Sequence, residues 1–455
     1  MFAANSKHLV VGFGITGLSI VKALARLGVT EIMAIDSRDT PPNQAEIQPL
    51  CQAIHTGSLN TALLDECDYL WVSPGIAIAT PALQATIARL PKENVGGDIE
   101  LFARLVQENI IAITGTNGKS TVTTLMGSIA IEAGFDLYMG GNLGMPALDL
   151  WLAYCDRAET EQKEPLFLLE LSSFQLETTT SLKADVGVIL NLSPDHLDRY
   201  RDYQHYVDSK FKLLAQSQDI IIPAVEPLID TAIAKTEFQG FSDVTRFALE
   251  ACPETDFWAD LEVKAVYSTQ GRPVSFEGTK LGGTHNILNI VAAVAISKTF
   301  GIGAKIISEG ILKYEPLAHR SIFVKNIAGV AYYNDSKATN LSSTEAAILG
   351  FPERKWVILG GVTKGQDFSP LQTLLLHNVA GVALIGEDYS TIEPHIPHGL
   401  PCFKSDTLEA ALKDIQAIAQ PDEIVLFSPA CASFDQFKSF EHRGDVFELL
   451  VNQLS

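Results

Sequence analysis

Basic charge is what this chain lacks most. Its 33 Lys and Arg stand against 54 Asp and Glu, a net charge of −21 over 455 residues. A nucleic-acid surface needs clustered Lys and Arg to neutralise phosphates, so no nucleic-acid partner is expected. Anionic small molecules stay open, because single loops can hold positive potential. Cysteine is sparse as well. Cys51, Cys67, Cys155, Cys252, Cys402 and Cys431 are scattered, with no Cys-x-x-Cys pair. That removes a zinc ribbon or redox pair and fits a reducing compartment. No apolar run approaches the roughly 18 residues of a membrane span. Met1 to His8 holds no basic segment leading into an apolar core, so no secretory signal is expected. Repeats and low-complexity segments are absent too. These absences predict a cytoplasmic protein without membrane insertion.

What is present is ample core, with 47% hydrophobic and 19% charged residues, and a length that suits about three domains of roughly 150 residues. The chain is organised around Ile113-Thr-Gly-Thr-Asn-Gly-Lys-Ser-Thr121. An apolar strand, Asn109 to Thr114, is predicted before it, and a helix from Thr121 to Glu132 after it. Strand, glycine turn, Gly-Lys-Ser and helix make a phosphate cradle: backbone N–H groups and the helix dipole meet the anion, and the lysine adds a point charge. The common loop has a glycine where Ile113 stands, so this loop is short. A second glycine loop, Gly12-Phe-Gly-Ile-Thr-Gly17, lies between the predicted strand His8–Gly12 and a helix reaching Leu27. A further strand ends on Asp36. That is a nucleotide-type fingerprint in context, although a structural turn remains open. Ser73-Pro74-Gly75 ends another strand, either at a ligand crevice or as a plain turn.

Gly96-Gly97 reads as a linker and Glu315-Pro316 as a second boundary. The predicted fold is α/β throughout, in three consecutive domains. They are an N-terminal Rossmann-like unit at 1–97, a central P-loop-type ATPase with a mostly parallel sheet at 98–316, and a C-terminal Rossmann-like unit at 317–455. A hairpin is expected within 240–280. In the last domain strands are expected at Ile322 to Asn334, Trp356 to Gly360, Gly381 to Ile385 and Glu423 to Phe427.

Four clusters follow the phosphate loop. Glu170 closes a strand and leads into Leu-Ser-Ser-Phe-Gln-Leu-Glu177; it could be an Mg²⁺ ligand or a solvated carboxylate. Asp195, His196 and Asp198 crowd another strand end. Lys210 and Lys212, judged as residues alone, are exposed helix lysines. Asn286 and Asn289 share a helix face and could meet a base or ribose, or simply solvent. The fourth cluster comprises His319-Arg320, Asn334-Asp-Ser-Lys-Ala-Thr-Asn340 and Ser428-Pro-Ala-Cys-Ala-Ser-Phe-Asp-Gln-Phe437. Cys431 there has no basic neighbour in sequence and reads as a small buried residue.

Taken together, Gly115–Ser120, Glu170–Glu177, Asp195–Arg199, His285-Asn286, His319-Arg320 and Asn334–Asn340 resemble, in order, the motifs of the Mur ligase family. The Ser428–Phe437 segment is most similar to the D-glutamate-adding branch. The resemblance implies an ATP-dependent amide ligase of peptidoglycan synthesis, acting as a monomer. Its expected substrates are UDP-N-acetylmuramoyl-L-alanine, D-glutamate and ATP, with two Mg²⁺ ions. It implies that Gly14, Ile15, Thr16, Asp36, Ser37, Arg38, Ser73, Gly75 and Asn142 bind the UDP-sugar. ATP would take Gly115, Thr116, Asn117, Gly118, Lys119, Ser120 and Thr121, with Asn286, Asn289, Arg320 and Asp335. Metal would take Thr116 or Ser120 with Glu170, His196 and Lys210, the last matching a carbamylated lysine. Lys119, Glu170, His196 and Lys210 would form the catalytic set. Lys337, Thr339, Lys364, Ser433 and Phe440 would hold D-glutamate. Three other readings compete. One is a ligase of the same loop type using another amino acid or extending folate. One is a nicotinamide-dependent dehydrogenase, from the first glycine loop alone. One is a nucleotide-gated scaffold.

Overall fold

The computed structural model describes residues 2–3, 5–158, 162–196, 199–235 and 243–454. Asp198 and part of the charged stretch after Asp156 lie outside them. Among the described residues the strands form three sheets. The first runs Ala53–His55, Ile32–Ile35, His8–Val11, Tyr69–Val72, Val95–Gly96, all parallel. The central sheet runs Val274–Ser275, Ala265–Ser268, Phe257–Asp260, Asp243–Phe247, Ser217–Pro223, Ala184–Ile189, Asn109–Thr114, Pro165–Glu170, Asp136–Gly141. Only its first two pairings are antiparallel, which makes the hairpin expected in 240–280. The last sheet runs Ile322–Ile327, Val330–Asn334, Ile424–Phe427, Lys355–Gly360, Val379–Ile385, Cys402–Asp406, parallel except at the first pair.

The central strands of each sheet are apolar on both faces because helices cover both sides. Leu9, Val10 and Val11, Ile111, Ala112 and Ile113, and Val425, Leu426 and Phe427 are all fully buried. In each sheet the strand order reverses beside one strand, and the carboxyl ends there diverge to leave a crevice. The loops after His8–Val11, Asn109–Thr114 and Val330–Asn334 all open at such points. These are the loops that carry the glycine fingerprint, the phosphate cradle and the Asp335 cluster.

Caps fix where the site helices begin. Gly118, at φ 81°, precedes the helix Lys119–Glu132, which starts two residues before the expected Thr121. Ser172 and Gln175 make a reciprocal capping box on the helix Ser173–Glu177. The Asp202 side chain accepts from His205 N and starts the helix Tyr203–Phe211, with Lys210 in its last turn.

Three expectations change. Gly96 is no linker: it pairs with Trp71 as the fifth strand of the first sheet, and a Cβ there would lie 2.7 Å from the Glu100 side chain. Its following helix, Asp98–Leu105, is deeply held. Buried Glu100 accepts from Ser181 Oγ, Thr180 N and Ser181 N. The first two sheets thus belong to one compact unit, Met1–Ser275 with Val291–Ile311; the other unit is Phe276–Ile290 with Leu312–Ser455. The stretch from Ile322 to Asn334 is two antiparallel strands turning at Ala328-Gly329, both at positive φ. The strand Cys402–Asp406 was missed because it is a sheet edge, where Lys404 and Asp406 face solvent and break the apolar run.

The first glycine loop separates packing from ligand space. A Cβ on Gly17 would sit 1.8 Å from the Gly12 carbonyl oxygen, whereas a Cβ on Gly14 meets nothing within 4 Å. Gly17→Ala is expected to cost roughly 1–3 kcal/mol, as overpacking against backbone does. Gly14→Ala should leave urea stability unchanged and weaken only binding to this loop; equal midpoints for both variants would contradict the assignment.

Candidate active site

The phosphate loop is held in place by the neighbouring strand end. Asn117 N donates to Asn191 Oδ1 at 2.8 Å, and Asn191 Nδ2 donates back to Asn117 O at 2.9 Å. Thr116 N donates to Asn191 O at 3.0 Å. Three hydrogen bonds therefore fix two successive loop residues, Thr116 and Asn117, to Asn191 just beyond the strand Ala184–Ile189. The Thr116 hydroxyl is engaged as well, with Ser193 O at 3.1 Å and Tyr206 OH at 2.9 Å. Lys119 Nζ donates to Gly115 O and Thr116 O, both at 2.8 Å, so the ammonium lies folded over its own loop.

Behind the loop is Lys210, only 1% exposed. The surface reading of this residue is wrong. On the helix Tyr203–Phe211 it falls four residues after Tyr206 and three after Val207, both buried, so it lies on the apolar face. That spacing was visible in the sequence. Its Nζ donates to Gly115 O at 2.8 Å and lies 4.8 Å from the centre of the Tyr206 ring. Burial pushes the Lys210 pKa well below the usual lysine value, and the nearby Lys119 charge adds to this; Asp195 and Glu170 partly offset both. Burial therefore favours the uncharged amine over the ammonium at this position.

Glu170 ends its strand beside the loop and is 2% exposed. Its Oε1 accepts from Asn142 Nδ2 at 2.7 Å, and its backbone oxygen accepts from Asn142 N at 2.8 Å. Its Oε2 is buried without a hydrogen-bond partner among the described residues. An unsatisfied buried carboxylate oxygen beside a phosphate loop is what a hard cation completes. Among the described residues no three His, Cys, Asp or Glu side chains form a preformed cage. This donor set therefore fits Mg²⁺, which keeps waters and phosphate oxygens and asks for one or two carboxylates. His196 stands at φ 54°, its Nε2 at 3.7 Å from Asp195 Oδ2, with its ring 4.8 Å from that of Phe174.

On the first sheet, buried Asp36 accepts from Phe13 N at 2.7 Å and takes a two-pronged contact from Arg38, at 2.9 and 2.7 Å. Burial, its largest influence, would raise the Asp36 pKa, but these bonds outweigh it and hold it below the ordinary value. The aspartate thus organises the loop and presents Arg38. Thr16 is half-buried, and Ile15, Ser37 and Gly75 are exposed. Ser73 Oγ donates to Gly12 O at 3.4 Å, closing the crevice floor.

In the second unit, Asp335 N donates to Phe427 O, while Asp335 accepts from Ser321 N at 3.0 Å and Ser428 Oγ at 2.7 Å. Burial pushes its carboxyl up to about 7 against the lowering effect of those bonds and Arg320. Lys337 Nζ lies 3.9 Å from the centre of the Phe440 ring. The pairing of Val362 with Ala432 joins the loop bearing Lys364 to the one bearing Ser433. Thr339 follows two residues after Lys337. Asn289 Nδ2 donates to Asn286 Oδ1, and Asn286 Nδ2 to Gly282 O. The residue missed in sequence is Arg443. It is 1% exposed and donates to Ser336 Oγ, Ser336 O and Cys431 O, tying two site loops together. Its signal was a charge on the helix face shared with Phe447 and Val451, at spacings of four. Cys431 is fully buried, its thiol pushed up to about 12 by burial, as a structural cysteine would be.

A model of the Mur ligase MurD-like N-terminal domain matches residues 6–92, one of the Mur ligase middle domain 113–297, and one of the Mur ligase glutamate ligase domain 319–431. The UDP-N-acetylmuramoylalanine--D-glutamate ligase of Shewanella violacea is 39% identical, over 99% of this chain and 97% of its own length. That of Haemophilus ducreyi is 40% identical, over 98% and 97%. Among solved structures, the MurF ligase of Thermotoga maritima in complex with ADP is similar at a TM-score of 0.60 and 15% identity, covering 99% of this chain and 96% of that one. A pseudomurein peptide ligase type C from Methanothermus fervidus also gives 0.60, at 17% identity, covering 98% and 100%. At such identities the structures speak for the fold alone.

Asp335 generates a pH prediction. Its folded pKa of about 7 lies above the unfolded value of 3.8. Its contribution to stability is therefore present below about pH 4 and is lost as pH rises through about 7. Asp335→Asn should gain stability relative to the parent across that window, read by urea melts from pH 5 to 8. A difference that does not change with pH would remove the claim.

Proposed function

This chain belongs to the Mur ligase family, and we propose from that premise that it joins D-glutamate to the alanyl carboxylate of UDP-N-acetylmuramoyl-L-alanine, with release of ADP and phosphate. The observation that carries the chemistry is the pairing of a phosphate loop with a buried lysine behind it. Binding a nucleotide needs Lys119, but has no use for an amine sealed against Gly115 O.

We assign residues 1–97 to the UDP-sugar, through Gly14, Ile15, Thr16, Asp36, Ser37, Arg38, Ser73 and Gly75, with Asn142. Residues 98–316 take ATP through Gly115–Thr121, with Asn286 and Asn289. Residues 317–455 take D-glutamate through Lys337, Thr339, Lys364, Ser433 and Phe440, while Arg320 and Asp335 serve ATP. In this reading, which follows the family resemblance, the protein acts in the cytoplasm as a monomer; its cysteines are free thiols, and no described helix is long and apolar enough to cross a membrane.

The alanyl carboxylate oxygen attacks the γ-phosphorus and the bond to ADP breaks, leaving an acyl phosphate. The uncharged amine of D-glutamate then attacks the acyl carbon. The tetrahedral adduct expels phosphate and the amide nitrogen loses a proton. Phosphoryl transfer chiefly requires positioning and charge neutralisation. Lys119 supplies one positive charge, and loop amides fixed by Asn191 supply oriented dipoles. Mg²⁺, two ions in this reading, would neutralise phosphate and carboxylate charge, held by Glu170, His196 and Ser120. Ser120 suits this better than Thr116, whose hydroxyl already serves Ser193 and Tyr206.

Lys210 completes the set once carbamylated. Its uncharged amine attacks CO₂, a proton leaves, and the anionic carbamate would attract the cation where a protonated lysine would repel it. With ¹³C-bicarbonate the enzyme should show one carbamate NMR signal that Lys210→Arg lacks; full activity with an unmodified lysine would remove this step. Lys119→Ala should abolish turnover while UDP-sugar affinity stays within about twofold. Loss of both would instead mark a folding defect. Phosphate release across an amino-acid panel decides the substrate: dependence on D-glutamate is expected, and dependence on L-alanine or L-lysine would overturn the assignment.

A further inference from the structure

Arg199 joins a turn, a helix and the loop bearing His196, and none of the roles assigned above uses it. Its Nη1 donates to Pro74 O at 2.5 Å and its Nη2 to Ile76 O at 3.4 Å. Nη2 also donates to Glu177 Oε2 at 2.9 Å, in a pair whose side chains are 12% and 16% exposed. The guanidinium carbon lies 3.8 Å from the centre of the Phe174 ring, and that ring packs on His196. Arg199 N also donates to His196 O at 2.9 Å. One planar cation therefore connects the turn after Tyr69–Val72, the helix that follows Glu170, and the loop bearing His196.

Planarity gives the first of these contacts a consequence. Pro74 O and the Gly75 N–H belong to one trans peptide and point in opposite directions. Drawing Pro74 O onto Arg199 aims the Gly75 N–H away from it. Ile76 O is held on the other side of Gly75, so the turn cannot rotate freely about that residue. A flexible, exposed Gly75 would otherwise lose orientational entropy on meeting an anion. The guanidinium fork suits this task, because its donors are fixed in one plane and face two carbonyls and a carboxylate together. The contact is shielded and charge-assisted, unlike a solvated ion pair.

We propose that Arg199 is a positioning residue for the sugar nucleotide: it presets the Gly75 peptide to receive the diphosphate and sets the His196 loop by the same contact. The inference rests on the reading of residues 1–97 as the UDP-sugar site. It couples two sites in one compact unit through a single side chain, so both sugar-nucleotide affinity and turnover depend on it.

The test uses the full-length enzyme with Arg199→Lys, Arg199→Ala and Glu177→Gln. Calorimetry reads the Kd of UDP-N-acetylmuramoyl-L-alanine and, separately, of ADP; kinetics reads kcat and the KM of each substrate. Lysine keeps the charge and loses the fork. Arg199→Lys should raise the sugar-nucleotide Kd about tenfold or more, the scale of one charge-assisted hydrogen bond. It should also lower kcat, with the ADP Kd and the KM of D-glutamate within twofold. Glu177→Gln should shift the same quantities in the same direction by less. If Arg199→Ala does not fold, the other two variants decide. Sugar-nucleotide affinity and kcat within twofold of the parent in both would overturn the proposal. So would equal losses of ADP and sugar-nucleotide binding, which would mark a general scaffold role. Failure of the unsubstituted enzyme to bind the UDP-sugar would instead overturn the site reading beneath it.

Discussion

A phosphate loop works only if its amides are held open towards the anion, and here the two-way bond between Asn117 and Asn191 does that. A loop of this shortness lacks the extra glycine that lets longer loops fold round a phosphate by themselves. The end of the next strand supplies the missing restraint, with Thr116 N and Asn117 N both tied to Asn191. Parallel pairing of Ile113 with Val188 and Thr114 with Ile189 brings that strand end level with the loop. The register of the central sheet thus sets where this restraint meets the loop.

Charge is arranged around that frame by burial. Lys119 and Lys210 both reach the Gly115 carbonyl, which two ammonium groups share only at an electrostatic cost. Sealing Lys210 from water favours its uncharged form and relieves the conflict. Glu170 is held by Asn142 through one oxygen, leaving the other unsatisfied. The cluster therefore keeps a buried acceptor unsatisfied, which a folded core seldom tolerates.

The same geometric rule places the other two loop clusters. The Gly12 loop and the Ser73 turn adjoin where the strand order of the first sheet reverses, and Asp335 adjoins Ser428 where that of the last one does. In the second unit the site is held by buried Arg443, which spans from Ser336 to Cys431. Here the long-range contacts outweigh local preference: the helix Phe440–Gln453 turns a guanidinium inward along with Phe447 and Val451 because three acceptors wait there.

The sequence by itself determined the loops and strands that carry the chemistry. Glycines spaced for close backbone approach, a lysine beside a hydroxyl, and Glu170 at the end of an apolar run are local signals, set by sterics and propensity within a few residues. The parallel α/β class followed from apolar strands alternating with helices. The edge strand Cys402–Asp406 escaped because an edge is half-solvated and its pattern resembles a loop. Lys210 and Arg443 were lost for a different reason. A charged side chain is exposed by default, and only the acceptors brought to it from distant strands make its burial tolerable. Tertiary structure also decided that Gly96 is an edge strand of the first sheet, since its partners Trp71 and Glu100 meet it only after folding. Local chemistry wrote the loops; the protonation state of Lys210, the grip of Asn191 and the reach of Arg199 depend on neighbours that sequence distance conceals.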